Sequence, residues 1–164
     1  IVEVDGRHQM WQRGFLPRSH TGKPSFIFAK AFVHALDLFD KFLDDIAKDS
    51  AAPEGIRSIH EKLCEALPDL REVRNSIQHA EDRSKGMHRK NKIELKKIDT
   101  SKISIDGTAL VNMGLNGNKF GTTMADGHYG AIEVSVQTVG ILRSALLEVY
   151  SLFAWKGPQR PQPD

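Results

Sequence analysis

The sequence has little of several features that would mark a special class of protein. Cys64 is the only cysteine among 164 residues, which excludes an internal disulfide framework and a thiolate-rich zinc site and favours a reducing, cytoplasmic environment. Aromatic residues make up 7% of the chain, and no apolar run approaches the ~20 residues that cross a bilayer. The net charge of only +2, taken alone, argues against nucleic acid as a partner. We therefore expect a soluble protein without a membrane partner.

What remains is the composition of an ordinary globular chain. Hydrophobic residues account for 40% and charged residues for 27%, and 164 residues are enough to bury a core without disulfides or a structural metal. The sequence therefore predicts a single domain over residues 1–164. Because the chain begins with Ile1 rather than Met, we expect its true N-terminus to lie upstream.

Hydrophobic periodicity predicts four helices. The first covers residues 26–48 and carries acidic and basic residues, Asp37 and Asp40 among them, on its polar face. Pro53 opens the second helix, the third runs from about Leu70 to Lys85 with Gly86 as its stop, and Ser135 caps the last. The expected buried stripes are Phe28, Phe32, Ala35, Leu36, Phe39, Phe42, Leu43 and Ile46 in the first helix; Ile56, Ile59, Leu63 and Leu67 in the second; and Val139, Leu142, Leu146, Val149 and Phe153 in the last.

Asp-Gly and Asn-Gly pairs divide the region between the third and last helices. They predict antiparallel strands joined by tight turns, because both central residues of a type I′ turn need positive φ. The expected strands are Lys102–Ile105, Thr108–Met113, Lys119–Met124 and Tyr129–Val134. The predicted fold class is thus α+β, with three helices in 23–86, an inserted β-meander in 100–134 and a last helix in 135–155. The meander would serve as a substrate platform, a dimerisation element or a cover for the helices, and Phe120 and Tyr129 would stack on bases or pack across strands.

The third helix carries the most suggestive chemistry. At about 100° per residue, its apolar residues share one face, and the opposite face collects guanidinium, amide and imidazole groups. Arginine offers a planar fork to phosphate oxygens, and histidine transfers protons near neutral pH, so this set suits a phosphodiester. The commoner explanation of such a face is the solvated side of an amphipathic helix. The residues concerned are Arg71, Arg74, Asn75, Gln78, His79 and Asp82.

The run Arg74-Asn75-Ser76-Ile77-Gln78-His79 resembles the R-x4-6-H signature of the HEPN superfamily. The likeness covers residues 26–86 and, more loosely, the last helix. It implies a HEPN-like four-helix bundle and a metal-independent endoribonuclease of a defence or toxin–antitoxin system, acting as a homodimer and needing no cofactor. It further implies that Arg74 stabilises charge on the phosphate, His79 is the general acid/base for attack by the ribose 2′-OH, and Asn75 orients one of them, leaving a 2′,3′-cyclic phosphate. A tyrosine that some HEPN toxins carry two residues after the histidine is replaced here by Glu81, which argues against silencing by a nucleotidyltransferase.

A basic segment directly follows that helix. Residues 83–97 contain seven positive residues and one negative, so the rest of the chain holds 16 positive and 20 negative residues. The segment is either an RNA-binding edge, where Lys and Arg neutralise phosphates, or a solvated loop. The expected RNA-binding residues are Arg71, Gln78, Arg83, Lys85, Arg89 and Lys90.

Other candidates are weaker. His60 and Cys64 lie one helical turn apart, but two ligands are too few for a closed zinc site, so we predict no metal residues. If the chain is not an enzyme, the same polar face would belong to a non-catalytic HEPN-type module that binds an antitoxin, another protein or nucleic acid. A third alternative is that the meander is the functional part and the helices are its scaffold.

Overall fold

A computed structural model describes residues 9, 12–14, 23–99 and 104–154. Its architecture is mixed, with helices followed by small antiparallel sheets and a returning helix, which agrees with the predicted α+β class. The helices are α1 (Lys23–Lys48), α2 (Gly55–Ala66), α3 (Leu70–Gln78), α4 (Ala80–Ser84) and α5 (Val136–Leu152). The strands are β1 (Met87–His88), β2 (Asn91–Lys92), β3 (Lys97–Asp99), β4 (Ser104–Thr108), β5 (Gly114–Asn116), β6 (Lys119–Thr123) and β7 (Tyr129–Glu133). No helix in the described ranges is both long and apolar enough to span a membrane.

The helical core forms where α2 packs between α1 and α5 and where α3 packs on α1. The stripe predicted for α2 is confirmed, since all four of its members are buried. The stripe predicted for α1 is only partly right, because Phe28 and Phe42 are 72% and 67% exposed whereas Val33 and Asp37 are buried. The apolar residues of α1 span more of the helix circumference than the neighbouring elements cover, so some of these residues are exposed. In α5, likewise, Val139 is exposed.

The third predicted helix is interrupted at His79. Its backbone angles, φ −106° and ψ 39°, end α3 at Gln78, and the short α4 follows. Gly86 ends α4 with a φ of +67°, a conformation that glycine adopts without steric cost, so the predicted stop is confirmed. The prediction of one continuous helix from Leu70 to Lys85 was therefore wrong at His79 and correct at the C-terminal end.

The strands form three separate sheets rather than one meander: β1–β2, β3–β4 and β5–β6–β7. Turns do occur at Asn116-Gly117 and Asp126-Gly127, with φ of +61° at Gly117 and +87° at Gly127. They are not the expected type I′ turns, because Asn116 and Asp126 do not have positive φ and Asn116 pairs with Lys119. The turn at Asp106-Gly107 was wrong, because both residues lie within β4. Residues 100–103, the start of the first predicted strand, lie outside the described residues.

The predicted strand Thr108–Met113 is also absent as a strand. Its central residue, Val111, is held by β6 in another way: Thr123 N donates to Val111 O at 2.8 Å, and Val111 N donates to Thr123 Oγ1 at 2.8 Å. The Thr123 hydroxyl thus takes the place of a backbone carbonyl as the acceptor for Val111 N. A side-chain bond of this kind competes with regular hydrogen bonding between strands.

The three-stranded sheet covers the helices. Phe120 on β6 is fully buried, and its ring centroid lies 5.3 Å from that of Phe26 on α1. The Asp69 carboxylate, just before α3, accepts a hydrogen bond from Ala131 N on β7 at 3.1 Å. This packing agrees with one of the three roles considered for the region, a cover for the helices. Phe120 is too deeply buried to stack on a base.

Candidate functional site

The polar residues of α3 separate into two grooves. One groove, of about 570 Å³, is called the acidic groove and contains Arg71 and Arg74. The other, of about 550 Å³, is called the hairpin groove and contains Asn75 and His79. The acidic groove is lined chiefly by Asp37, Asp40, Lys41, Asp44, Asp45, His60, Cys64, Arg71 and Arg74. The hairpin groove is lined by Glu72, Asn75, His79, Asp82, Arg83, His88, Arg89 and Ala125.

Arg74 is bound to α1 rather than directed to open solvent. Its Nε donates to Asp37 Oδ1 at 2.7 Å, and its Nη1 donates to Gln78 Oε1 at 2.7 Å. The Asp37 side chain is 2% exposed, and the Lys41 ammonium lies 2.9 Å from its second oxygen without hydrogen-bond geometry. Asp37 was expected on the polar face of the first helix, yet it is buried because Arg74 and Lys41 neutralise it. The pair fastens α3 to α1.

His79 occupies the break between α3 and α4. Its N–H donates to Asn75 O at 3.1 Å, and its carbonyl accepts from Arg83 N at 3.0 Å, so its backbone is fixed from both sides. Its side chain is exposed and lines the hairpin groove. Asn75 lies in the same groove, where its amide nitrogen is 3.4 Å from Glu72 Oε1. An imidazole and an amide therefore share one solvent-accessible groove.

Arg83, which we expected to bind RNA, is 1% exposed and has a structural role. Its guanidinium donates to Ser76 Oγ at 3.2 Å, to Met87 O at 2.7 Å and to His88 Nδ1 at 3.1 Å. The RNA-binding expectation is corrected at this residue, because its donors join α3 to β1. Since arginine only donates, Nδ1 of His88 is the acceptor, and the neutral ring carries its hydrogen on Nε2.

The basic segment forms a β-hairpin beside this groove. His88 pairs with Asn91, so Arg89 and Lys90 make the two-residue loop at its tip, and both are exposed. Arg89 has a φ of +56°, in the left-handed region that arginine seldom adopts. Lys85, just after α4, is exposed as well. Three of the expected RNA-binding residues are thus exposed, and one of them, Arg89, lines the hairpin groove together with His79. Arg71 instead lines the acidic groove, and Gln78 is bonded to Arg74.

The acidic groove gathers the groups that the sequence separated. His60 Nε2 lies 3.0 Å from Asp40 Oδ1 and 3.5 Å from Cys64 Sγ, and Cys64 Sγ lies 3.8 Å from Asp40 Oδ1. Burial and the neighbouring Asp40 carboxylate raise the pKa of the Cys64 thiol, and the hydrogen bond from Lys48 lowers the pKa of Asp44. The aspartates outnumber the cations of this groove by four to three. Its charge suits a cation better than an RNA phosphate.

Sequence reasoning missed two residues of these grooves. His88 has no ligand spacing to another histidine, but its position five residues after Arg83 inside the basic segment was a readable signal. Asp40 precedes His60 by 20 residues, so only the packing of α1 on α2 brings it to the His60–Cys64 pair.

Comparison with known proteins adds no family assignment to either groove. The resemblance to the HEPN superfamily therefore remains an expectation from the sequence of residues 74–79. No protein-family model matches the chain, and searches among curated proteins and solved structures found no significant match.

Proposed function

We propose that this chain is a HEPN-like endoribonuclease, a cytoplasmic nuclease of a defence or toxin–antitoxin system, and that it cuts RNA in the hairpin groove without a metal. One observation carries the proposal: His79 and Asn75 line a single groove together with His88 and Arg89, beside the exposed cations of the β1–β2 hairpin. The groove therefore combines one proton-transfer group, His79, with two groups that can bind a phosphate, the His88 ring N–H and the Arg89 guanidinium.

The proposed chemistry uses the two histidines in complementary roles. His79 takes the proton of the ribose 2′-OH, and the 2′-oxygen attacks phosphorus to form the 2′,3′-cyclic phosphate. The imidazolium of His79 returns the proton it took to the departing 5′-oxygen as the bond from phosphorus to that oxygen breaks, while His88, which carries its hydrogen on Nε2 because Arg83 occupies Nδ1, donates a hydrogen bond from Nε2 to the phosphate. Asn75 orients His79 or the substrate, and Arg89 stabilises the charge on the phosphate. The roles that the HEPN resemblance gives to Arg74 thus pass to Arg89 in this groove.

The surrounding charge supports RNA as the substrate. Lys85, Arg89 and Lys90 are exposed, and they neutralise phosphates on either side of the scissile bond. The acidic groove repels the same backbone, so Arg71 and Gln78 are not assigned to RNA. RNA-binding on this chain is proposed for the hairpin side of α3 only.

His79→Ala is expected to slow RNA cleavage by about 10²–10⁴-fold, because it removes the proton-transfer group, and His88→Ala by about 10²–10³-fold, because it removes a hydrogen-bond donor to the phosphate. Cleavage of a fluorescent single-stranded RNA and of tRNA measures the rate, and end-group analysis identifies the 2′,3′-cyclic phosphate. His34→Ala is the matched control, since His34 is an exposed histidine of α1 outside the groove. Arg89→Gly should raise KM without loss of stability, because glycine tolerates the φ of +56°.

EDTA should leave the rate unchanged, since the proposed step needs no metal. Wild-type protein that cuts none of these RNAs at micromolar concentration would remove the enzyme proposal. Equal rates for wild type and His79→Ala would remove His79 from catalysis even if RNA were cut.

A non-catalytic HEPN-type binding module is the second candidate. The observation that favours it is the separation of Arg74 from His79, because the arginine is paired with buried Asp37 in a different groove. In that case the hairpin groove would dock RNA, an antitoxin or another protein without cutting. Binding of RNA with equal affinity by wild type and His79→Ala, and no cleavage by either, is the expected signature.

The homodimer has support on the outer face of α1. At about 100° per residue, six exposed apolar residues fall within about 80° of the helix circumference, at steps of three and four. This stripe is distinct from the buried face of α1 and is self-complementary in an antiparallel or parallel pair. It consists of Phe28, Ala31, Ala35, Leu38, Phe42 and Ile46.

Phe42→Glu is therefore expected to convert the dimer to a monomer, because two charges would be buried at the seam. Sedimentation equilibrium of wild type and variant measures the change. Val136→Glu is the control, since Val136 is 83% exposed on α5, away from the stripe. A monomeric wild-type protein, or a variant dimer of unchanged affinity, would contradict the seam.

A further inference from the structure

Three potential metal ligands meet where α1 packs against α2. They are Asp40 Oδ1 from α1 and, from successive turns of α2, His60 Nε2 and Cys64 Sγ. Their separations are 3.0 Å for O to N, 3.5 Å for N to S and 3.8 Å for O to S. A carboxylate oxygen, an imidazole nitrogen and a sulfur are the three donor types that proteins use for zinc.

The triangle has the size of one face of a zinc tetrahedron. Bonds of about 2.0 Å to oxygen and nitrogen and about 2.3 Å to sulfur give tetrahedral edges of about 3.3 Å for O to N and about 3.5 Å for edges that include sulfur. The observed separations differ from these by at most about 0.3 Å. A metal ion would therefore reach all three atoms with only small side-chain rotations.

We propose that Asp40, His60 and Cys64 bind a zinc-class divalent cation, with a fourth position left to water or to an anion in the acidic groove. Cys64 binds as the thiolate, so its proton passes to solvent when the metal enters. Three protein ligands with one open position is the arrangement of a reactive zinc centre, whereas structural zinc sites use four. Arg71 lines the same groove and suits an anion at the open position, whereas Arg74 is bonded to Asp37 and Gln78.

The surroundings of the triangle favour a cation. Asp44 Oδ1 lies 3.9 Å from Nδ1 of His60, on the ring side opposite Nε2. That separation is too long for a hydrogen bond, so the Asp44 carboxylate favours a cation on His60 through its charge alone. Lys48 in turn binds Asp44, which fixes the carboxylate. This site goes beyond the proposed ribonuclease, which acts in the hairpin groove and uses no metal.

Titration of the reduced wild-type protein with Co²⁺ provides the test. We expect a saturable thiolate-to-cobalt charge-transfer band together with visible d–d bands of tetrahedral intensity. Zn²⁺ should abolish both bands, slow alkylation of Cys64 and release one proton per site, measured by calorimetry in buffers of different ionisation enthalpy. Cys64→Ser, His60→Asn and Asp40→Asn should each lower Zn²⁺ affinity by at least about tenfold, and Asp44→Asn by a smaller factor.

His128→Asn is the matched control, because His128 lies 3.0 Å from Asp126 in a histidine–aspartate pair that has no third ligand among the described residues. Circular dichroism of each variant establishes that it is folded, and Cys64→Ser is nearly isosteric at an exposed position. The absence of a cobalt–thiolate band in wild type overturns the proposal, as does a band that survives both His60→Asn and Asp40→Asn. Cys64→Ser should retain the wild-type rate of RNA cleavage, so failure of the ribonuclease proposal leaves the metal result standing.

Discussion

Arg74→Met is expected to lower the free energy of unfolding by about 3 kcal/mol, since it leaves a carboxylate with a 2% exposed side chain without its closest partner. The variant keeps the volume and the aliphatic part of the side chain, so the loss reports the ion pair rather than a cavity. The Lys41 ammonium, 2.9 Å from the other oxygen of Asp37, keeps the cost at the lower end of the range for a broken buried pair. Urea unfolding followed by circular dichroism measures the change.

Replacing both members of the ion pair by apolar residues should recover most of the stability that Arg74→Met loses. In Asp37→Leu/Arg74→Met the charge and its partner are removed together, and buried ion pairs are often replaced by hydrophobic residues at little cost. The two single variants and the double variant form a cycle whose coupling energy isolates the pair. Lys62→Met is the control, because the Lys62–Glu148 pair is exposed and contributes about 0–1 kcal/mol.

The cycle also decides how loss of cleavage in an Arg74 variant is to be understood. If the double variant is stable and still cuts RNA, Arg74 acts through the attachment of α3 to α1. If it is stable and inactive, Arg74 contributes to the reaction itself, as the HEPN resemblance implies. A single Arg74→Met variant of wild-type stability would contradict the structural role directly.

The parts of the fold that were predictable from sequence are those set by local pattern. Ile56, Ile59 and Leu63 repeat at helical spacing, and they are buried as expected. Gly117 and Gly127 take the positive φ that their turns require. The break at His79 carries no such signal, because residues 70–85 contain neither glycine nor proline. It accompanies the inward turn of Arg83, whose side-chain bonds to Ser76, Met87 and His88 span four to seven residues and follow no helical or strand periodicity.

The composition of the two grooves was less predictable, because each groove is built from residues of more than one element. Arg74 and His79 are about 140° apart on a regular helix, a separation wide enough for neighbouring elements to draw them into different grooves. Helical spacing alone identified His60 and Cys64 as neighbours. The third ligand atom, on Asp40, comes from another helix, 20 residues before His60, so helical spacing does not predict the contact.

Arg83→Met is expected to be as damaging as any substitution in the hairpin region, with a loss of about 3–5 kcal/mol. Removing the guanidinium leaves Ser76 Oγ, Met87 O and His88 Nδ1 without the donor they share, and Ser76 is buried whereas Met87 and His88 are half-buried. Arg83→Lys should recover only part of the loss, because an ammonium cannot span three acceptors as the planar fork does. Thermal unfolding of both variants, with Lys85→Met as the exposed control, measures the difference.

The salt dependence of RNA binding separates this structural role from a phosphate contact. An arginine that neutralises a phosphate contributes about 0.7 to the slope of log K against log salt on single-stranded nucleic acid. Lys90→Ala should reduce that slope by about this amount with no change in melting temperature, since Lys90 is exposed at the hairpin tip. Arg83→Met, which removes the positive charge, should instead lower the melting temperature and leave the slope unchanged at temperatures where the variant is folded. A reduced slope with an unchanged melting temperature would return Arg83 to the RNA-binding residues. A lowered melting temperature with an unchanged slope would support the structural role of Arg83. In that role Arg83 affects cleavage only indirectly, by holding His88 in the tautomer that donates from Nε2.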